Sequence, residues 1–478
     1  MSRGARGEVA VIGLGASGRA AALLLARDGV GVYASDGGES PATHAAAADL
    51  RAVGVTVDLG RHDLDRIARA RLAVLSPGVP PTAAAVRAAR DAGVPVVSEI
   101  EIGLAHLPGV PYIAVTGTNG KTTTTALVGH LLRALGHHAI DAGNIGLPLS
   151  AVAMDAGPAG RRPDWIALEL SSFQLHDTPS VAPVVAVLTN LSPDHLDRYP
   201  SAAAYYADKA RLFANAGPDS IIVSNADDPA VQAMVAAVPG RRFTFSAAGG
   251  AGVSGGSAAV YRRPPAGAPD RAVEGTGDGG WLDLLGVPLL QRSQFPLLGD
   301  HNVANALAAV LSVALAHPSH ATPEARARLA SGLRSFRALP HRLQLVGEYG
   351  GVQWIDDSKA TNVSSARVAL ESMVRPTIAL LGGRHKGEPY TSLGPPLRQI
   401  GKVVLAYGEA APMIDQDLGG VIPVERLGSD FAAVMARAHA HAAAGDAVLL
   451  APACSSFDMF RNYEERGATF ARLAAARS

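Results

Sequence analysis

Residues Ala114–Thr125 read AVTGTNGKTTTT. The apolar run YIAV leads into a glycine turn, Lys121 and Thr122 follow, and a run of threonines opens an Ala- and Leu-rich helical stretch. Strand, glycine turn, lysine, hydroxyl and helix, in that order, are the parts of a phosphate-binding loop, where backbone N–H groups and a helix N-terminus face an anion. The match to the strict motif is incomplete, because Val115 stands where the outer glycine belongs. The chemistry-bearing residues are kept. Lys121 is placed to reach the β- and γ-phosphates of a nucleotide, and Thr122 to ligate Mg²⁺. Gly117, Thr118, Asn119, Gly120, Lys121, Thr122 and Thr123 are therefore the predicted nucleotide-phosphate contacts.

A second glycine loop lies upstream. Gly13-x-Gly15-x-x-Gly18 follows the strand-like EVAVI, and Asp36 ends the next strand-like run. This is the dinucleotide fingerprint, which specifies a diphosphate and not a particular cofactor. From residue 8 to about 100, apolar runs alternate with Ala-rich helical ones, and the pattern restarts at YIAVTG and again after RALPHRLQ. Such alternation predicts parallel sheets with helices on both faces. The 478 residues fit about three domains at ~150 residues each. The expected fold is α/β in three domains: a Rossmann-like domain over 1–107, a P-loop ATPase-like domain over 108–337 and a Rossmann-like domain over 338–478. Residues 246–294, rich in Gly, Ala and Pro, predict hairpin pieces joined by mobile loops.

Forty-two basic residues balance 42 acidic ones, which argues against a nucleic-acid or membrane-surface binder. Cys454 is the only cysteine, so no intramolecular disulfide forms; this fits a cytoplasmic protein. The N-terminus lacks a signal-peptide pattern. The longest apolar run, Val303–Ala316, is too short to span a bilayer. No membrane insertion is expected.

Polar residues gather at the ends of the strand-like runs. Glu169 closes WIALEL; Asp194, His195 and Asp197 follow VVAVLTN; Asp356, Asp357, Ser358, Lys359, Thr361 and Asn362 follow VQWI; Lys386 lies in GGRHKG. Each alone reads as a cap or a solvated loop. Their recurrence at strand ends predicts one binding edge, because open α/β sheets bind ligands outside the carboxyl ends of their strands.

TGTNGKT, ELSSFQL, NLSPDHLDRY, GDHNVANALAA, PHRLQ, DDSKATN, GGRHKG and PACSSFDMFRNYEERG occur in this order along nearly the whole chain. Together they resemble the Mur ligases, and within them the D-glutamate-adding type. The Asp-Asn-Pro-Arg type of motif expected of the diaminopimelate- or lysine-adding type is absent. The resemblance implies ATP-dependent addition of D-glutamate to UDP-N-acetylmuramoyl-L-alanine through an acyl phosphate, in peptidoglycan precursor synthesis. It implies ATP, two Mg²⁺ sites and a lysine, Lys209, carbamylated by CO₂; a free amine of pKa ~10.4 would repel Mg²⁺, whereas a carbamate oxygen would ligate it.

Carried onto this sequence, the resemblance assigns catalytic roles to Lys121, His195, Lys209 and Lys386. Thr122, Glu169, His195 and carbamylated Lys209 would hold the metals. Asn302, Asn305, Arg342 and Asp356 would contact ATP. Gly15, Ser17, Asp36, Ser76, Gly78, Asn144 and His195 would face the UDP substrate. Thr361, Lys386, Ser456 and Tyr463 would bind D-glutamate. Two departures stand out: Gly37-Gly38 follows Asp36 where polar or basic side chains are expected, and Tyr463 stands where Phe is usual. The third unit is expected to swing onto the second when ATP binds, and a monomer is the simplest expectation for assembly. The competing reading, an NAD-dependent oxidoreductase built on the first glycine loop, leaves Lys121, His195 and Lys386 without a role.

Overall fold

The computed structural model describes residues 7–157, 160–195, 198–248, 258–263 and 279–476. The chain forms two compact units. One is Met1–Arg262, Leu282–Leu289 and Ala304–Leu333; the other is Arg263–Trp281, Leu290–Val303 and Arg334–Ser478.

The first sheet is β1 (Val9–Ile12), β2 (Val32–Asp36), β3 (Thr56–Leu59), β4 (Leu72–Leu75) and β5 (Val96–Ser98), in the order β3-β2-β1-β4-β5. All pairs are parallel. The connections leave β1 and β4 in opposite directions, which opens a crevice beyond their carboxyl ends. Both the first glycine loop and Ser76 border that crevice.

The second sheet holds β6 (Tyr112–Thr116), β7 (Ala139–Gly143), β8 (Trp165–Glu169), β9 (Val185–Leu188), β10 (Ile221–Asn225), β11 (Arg241–Ser246), β12 (Ala259–Arg262), β13 (Trp281–Leu284) and β14 (Val287–Gln291). Their order is β14-β13-β12-β11-β10-β9-β6-β8-β7. Every residue of β6, β8 and β9 is buried. Helices cover both faces, so these strands read as unbroken apolar runs and not as alternating ones. β6 lies between β8 and β9, and the phosphate loop leaves from its end. The Gly-rich stretch carries the short strands β12 to β14, of which β12 pairs in parallel with β11; its predicted mobile loops fall mostly outside the described residues.

The second unit carries a sheet of β15 (Gln344–Tyr349), β16 (Val352–Asp356), β17 (Thr377–Gly382), β18 (Gly401–Tyr407), β19 (Val424–Arg426) and β20 (Ala447–Leu450), in the order β15-β16-β20-β17-β18-β19. Only β15 runs antiparallel to its neighbour. Its strands feed two cores by the two-residue period of a pleated strand. Ile355, Ala379, Leu381 and Leu449 pack on one face, and Trp354, Ile378, Leu380 and Val448 on the other. No helix among the described residues is long and apolar enough to cross a membrane.

Candidate active site

From the end of β6 the chain turns through Gly117–Gly120 into the helix Lys121–Ala134. Gly117 has φ +147°, and a Cβ there would lie 2.0 Å from Thr189 Oγ1, so glycine alone lets the loop close on the end of β9. The loop is stitched to that segment. The Thr118 N–H donates to the Asn190 carbonyl at 2.9 Å, the Asn119 N–H to Asn190 Oδ1 at 2.8 Å and the Ser192 N–H to Thr118 Oγ1 at 3.0 Å. Thr189 Oγ1 and Asn190 Nδ2 both donate to the Asn119 carbonyl, at 2.7 and 2.9 Å. Lys121 folds back across the turn, its Nζ donating to the carbonyls of Gly117 at 3.0 Å and Thr118 at 2.8 Å. Thr122 stands half-buried in the first helical turn and Thr123 is buried behind it.

Lys209 meets the same loop. It lies on the helix Ala202–Ala210 and is 1% exposed. Its Nζ donates to the Gly117 carbonyl at 2.7 Å and sits 4.4 Å from the Tyr205 ring centroid. Burial, and then the charge of Lys121, push its pKa far below the ordinary lysine value, against the pull of Asp194, Glu169 and Asp208. A buried amine beside another cation favours its neutral form, which is nucleophilic. The neighbouring Asp208 fixes the helix by a 2.8 Å contact between its Oδ1 and His176 Nδ1, and that contact raises the His176 pKa.

Glu169 ends β8 and is 1% exposed. Its Oε1 accepts from Asn144 Nδ2 at 2.7 Å, while its Oε2 is buried with no hydrogen-bond partner. An orphan carboxylate oxygen is expensive to bury, and a cation would satisfy it. Asn144, expected to face the UDP substrate, thus has its amide turned to the predicted metal ligand. His195 holds a left-handed backbone at φ +54°. Its N–H donates to Asp194 Oδ1 at 2.8 Å, and its ring lies against Phe173 and Tyr205, with centroids 5.2 and 5.9 Å away. Asp197 lies outside the described residues. Among the described residues no cluster of three or more His, Cys, Asp or Glu side chains could by itself hold a metal ion. Glu169 and Thr122 offer oxygens of the kind Mg²⁺ takes alongside phosphate and water, whereas His195 offers a ring nitrogen and the Lys209 amine becomes an oxygen donor only if carbamylated.

At the first sheet, a Cβ on Gly18 would fall 1.8 Å from the Gly13 carbonyl oxygen, which explains the third glycine of the fingerprint as close packing of helix on turn. Gly15 precedes the helix Ala16–Arg27, Ser17 is buried in its first turn, and the Ser76 N–H donates to the Ile12 carbonyl at 3.0 Å. Gly78 is exposed. Asp36 is engaged at both oxygens: the Leu14 N–H donates at 2.7 Å and the Gly38 N–H at 2.8 Å. The Gly38 contact is made by the backbone and does not depend on glycine, so the Gly37-Gly38 departure has no structural explanation. His62 stands beside Gly37, hydrogen-bonded through Nδ1 to Ser35 Oγ at 2.9 Å.

In the second unit, Asp356 is 1% exposed and its Oδ2 lies 2.7 Å from His341 Nδ1. This contact raises the His341 pKa. Asn302 and Arg342 line a cavity of about 400 Å³. Asn305 is on the same helix, Asp300–Ala316, but its Oδ1 accepts from Thr124 Oγ1 at 3.2 Å. Thr361 and Lys386 come together, with Nζ 3.4 Å from Oγ1. Ser456 is buried. Tyr463 opens the helix Tyr463–Ala475, and the Lys359 Nζ lies 3.8 Å from its ring centroid. Burial pushes the Tyr463 hydroxyl up to about 12. Cys454 is fully buried, its Sγ 3.0 Å from Tyr390 Oη, and burial pushes its thiol up to about 11.

Three family models match the chain in sequence. Residues 7–98 match the Mur ligase MurD-like N-terminal domain, 115–313 the Mur ligase middle domain, and 341–454 the Mur ligase glutamate ligase domain. The chain is 42% identical to the UDP-N-acetylmuramoylalanine--D-glutamate ligase of Anaeromyxobacter dehalogenans, over 98% of this chain and 97% of that one. The chain belongs to the Mur ligase family. A second such ligase, from Acidobacterium capsulatum, is 41% identical over 98% of this Mur ligase and 96% of its own length. Solved structures share the fold. UDP-N-acetylmuramate-alanine ligase MurC from Thermotoga maritima aligns with TM-score 0.60 and 19% identity over 99% of this chain and 100% of that chain. The MurF ligase of the same organism, in complex with ADP, aligns with TM-score 0.60 and 17% identity over 94% and 96%.

Several residues of this Mur ligase site are invisible to motif reading. Thr189 and Asn190 hold the phosphate loop from the facing strand, about 70 positions away in sequence. Their only linear signal is a place at a strand end. Arg466, 0% exposed, donates four hydrogen bonds within the second unit; it lies within the motif PACSSFDMFRNYEERG, but the resemblance assigns it no role there.

Proposed function

We propose that this Mur ligase joins D-glutamate to the L-alanine carboxylate of UDP-N-acetylmuramoyl-L-alanine, with ATP as phosphoryl donor. The observation that carries the site reading is the convergence of Lys121 and Lys209 on the Gly117 carbonyl beside the unpartnered Glu169 oxygen. The relatives' names support the choice of D-glutamate. The proposed division of labour follows the three sheets: residues 1–107 for the UDP substrate, 108–337 for ATP and 338–478 for the amino acid.

A carboxylate is a poor acyl donor, so one of its oxygens first attacks the γ-phosphorus and ADP leaves. The amine of D-glutamate then attacks the acyl carbon of the acyl phosphate. The tetrahedral intermediate expels phosphate as the nitrogen loses its proton. Gly117–Thr123 wraps the phosphates, and Lys121 swings from its own loop carbonyls to the transferring group, whose charge it offsets. Glu169, Thr122, His195 and carbamylated Lys209 are the proposed Mg²⁺ holders, and the bound cation would neutralise phosphoryl charge. Asn302, Asn305, Arg342 and Asp356 are assigned to the rest of ATP. Gly15, Ser17, Asp36, Ser76, Gly78 and Asn144, with His195, are assigned to the UDP substrate. Lys386 and Thr361, with Ser456 and Tyr463, are assigned to D-glutamate, where a lysine ammonium beside a hydroxyl suits a carboxylate. The reaction is assigned to the cytoplasm and to a single chain.

The deciding experiment supplies UDP-N-acetylmuramoyl-L-alanine and ATP with one amino acid at a time and measures phosphate release. Turnover is expected with D-glutamate only. Release with L-lysine or diaminopimelate, and none with D-glutamate, would overturn the assignment.

A further inference from the structure

Arg466 lies in the first turns of the helix Tyr463–Ala475 with no exposed surface. Its Nε donates to Ser358 Oγ at 2.9 Å; Nη2 donates to the Ser358 carbonyl at 2.9 Å and the Cys454 carbonyl at 3.2 Å; Nη1 donates to the Gly382 carbonyl at 3.4 Å. All these acceptors are uncharged, and among the described residues no carboxylate pairs with it. A buried cation without an anion is costly and persists only when its hydrogen bonds are well made. Each acceptor stands at the root of a different loop. Ser358 follows β16 and leads to Thr361; Gly382 ends β17 and leads to Lys386; Cys454 follows β20 and leads to Ser456. The three strands are neighbours in the sheet, in the order β16-β20-β17.

We propose that Arg466 is the positioning residue of the amino-acid site: one planar guanidinium sets the spacing of the three loops that carry Thr361, Lys386 and Ser456. The inference rests on the assignment of those residues to D-glutamate. Guanidinium geometry is what the role requires. A lysine keeps the charge but has no rigid fork to hold three loop roots at fixed distances. Small displacements of binding groups weaken a polar ligand strongly.

The test is steady-state kinetics of the full chain carrying Arg466→Lys, with KM measured for all three substrates. The KM for D-glutamate is expected to rise about tenfold, while those for ATP and the UDP substrate stay within about twofold. Ser358→Ala, which removes one hydroxyl and with it both the Nε acceptor and a 2.8 Å hydrogen bond to the Tyr463 carbonyl, should shift the same KM in the same direction by less, and it decides the question if Arg466→Lys does not fold. An unchanged D-glutamate KM in the folded variants, or an equal rise in all three KM values, would overturn the proposal. Lys386→Ala is run in parallel. If it leaves the D-glutamate KM unchanged, the site assignment itself falls; if it raises that KM while Arg466→Lys does not, only the role of Arg466 falls.

Discussion

Lys209 and Lys121 donate to one oxygen, the carbonyl of Gly117, at 2.7 and 3.0 Å. Two amines on one acceptor cannot both carry full charge cheaply when one of them is buried. The arrangement favours a neutral Lys209, the form that the proposed carbamylation requires.

Lys209→Ala is therefore expected to be nearly inactive and partly rescued by a small added carboxylate that fills the space left by the side chain. Full activity without rescue would refute the carbamate. In the wild type, ¹³C-labelled bicarbonate should give a carbamate resonance that Lys209→Ala lacks.

Lys121→Ala should leave the fold intact by circular dichroism and lower kcat by about 10²–10³, the loss usual for one well-placed electrostatic group. Unchanged turnover would remove Lys121 from the mechanism.

Asn144→Ala separates two roles. The 2.7 Å hydrogen bond from its amide to Glu169 predicts that its loss raises the Mg²⁺ concentration for half-maximal activity by about 10- to 100-fold, as for other residues that orient metal ligands. A change in the KM for the UDP substrate alone would instead return Asn144 to the substrate side.

His341 links stability to pH. Its hydrogen bond to Asp356 raises its folded-state pKa above the ordinary 6.5. The stabilisation is then fully present below about pH 6.5 and is lost as pH rises through the folded value. His341→Gln should lower the urea midpoint of the second unit more at pH 6 than at pH 9. An equal deficit at both pH values would show that the ion pair contributes nothing beyond its neutral hydrogen bond.

The inner strands were legible because they are buried on both faces and so read as apolar runs between glycine turns; the edge strands β3, β7, β15 and β19 are partly exposed and do not read that way. Lys121 was legible because its partners are in its own loop, three and four residues away. Lys209 was not, since a lysine in YYADKARLF reads as a solvated helix position; only the family resemblance singled it out, and its burial under the phosphate loop depends on the packing of a helix more than 80 residues downstream. Sequence spacing also did not reveal that the Asn144 amide is turned to Glu169. Arg466 was missed for a plainer reason. Its acceptors are backbone oxygens and a serine hydroxyl up to 108 residues away, and backbone acceptors leave no mark in a sequence.

The sealed thiol of Cys454 has a practical consequence. It is the only cysteine, it is fully buried, and its thiolate is scarce near neutrality, so maleimide dyes should pass it by. Cysteines introduced at Val53 and Val374, which are 54% and 72% exposed on separate units, would then be the only labelled sites. Energy transfer between the dyes would report whether the distance between the units changes during turnover.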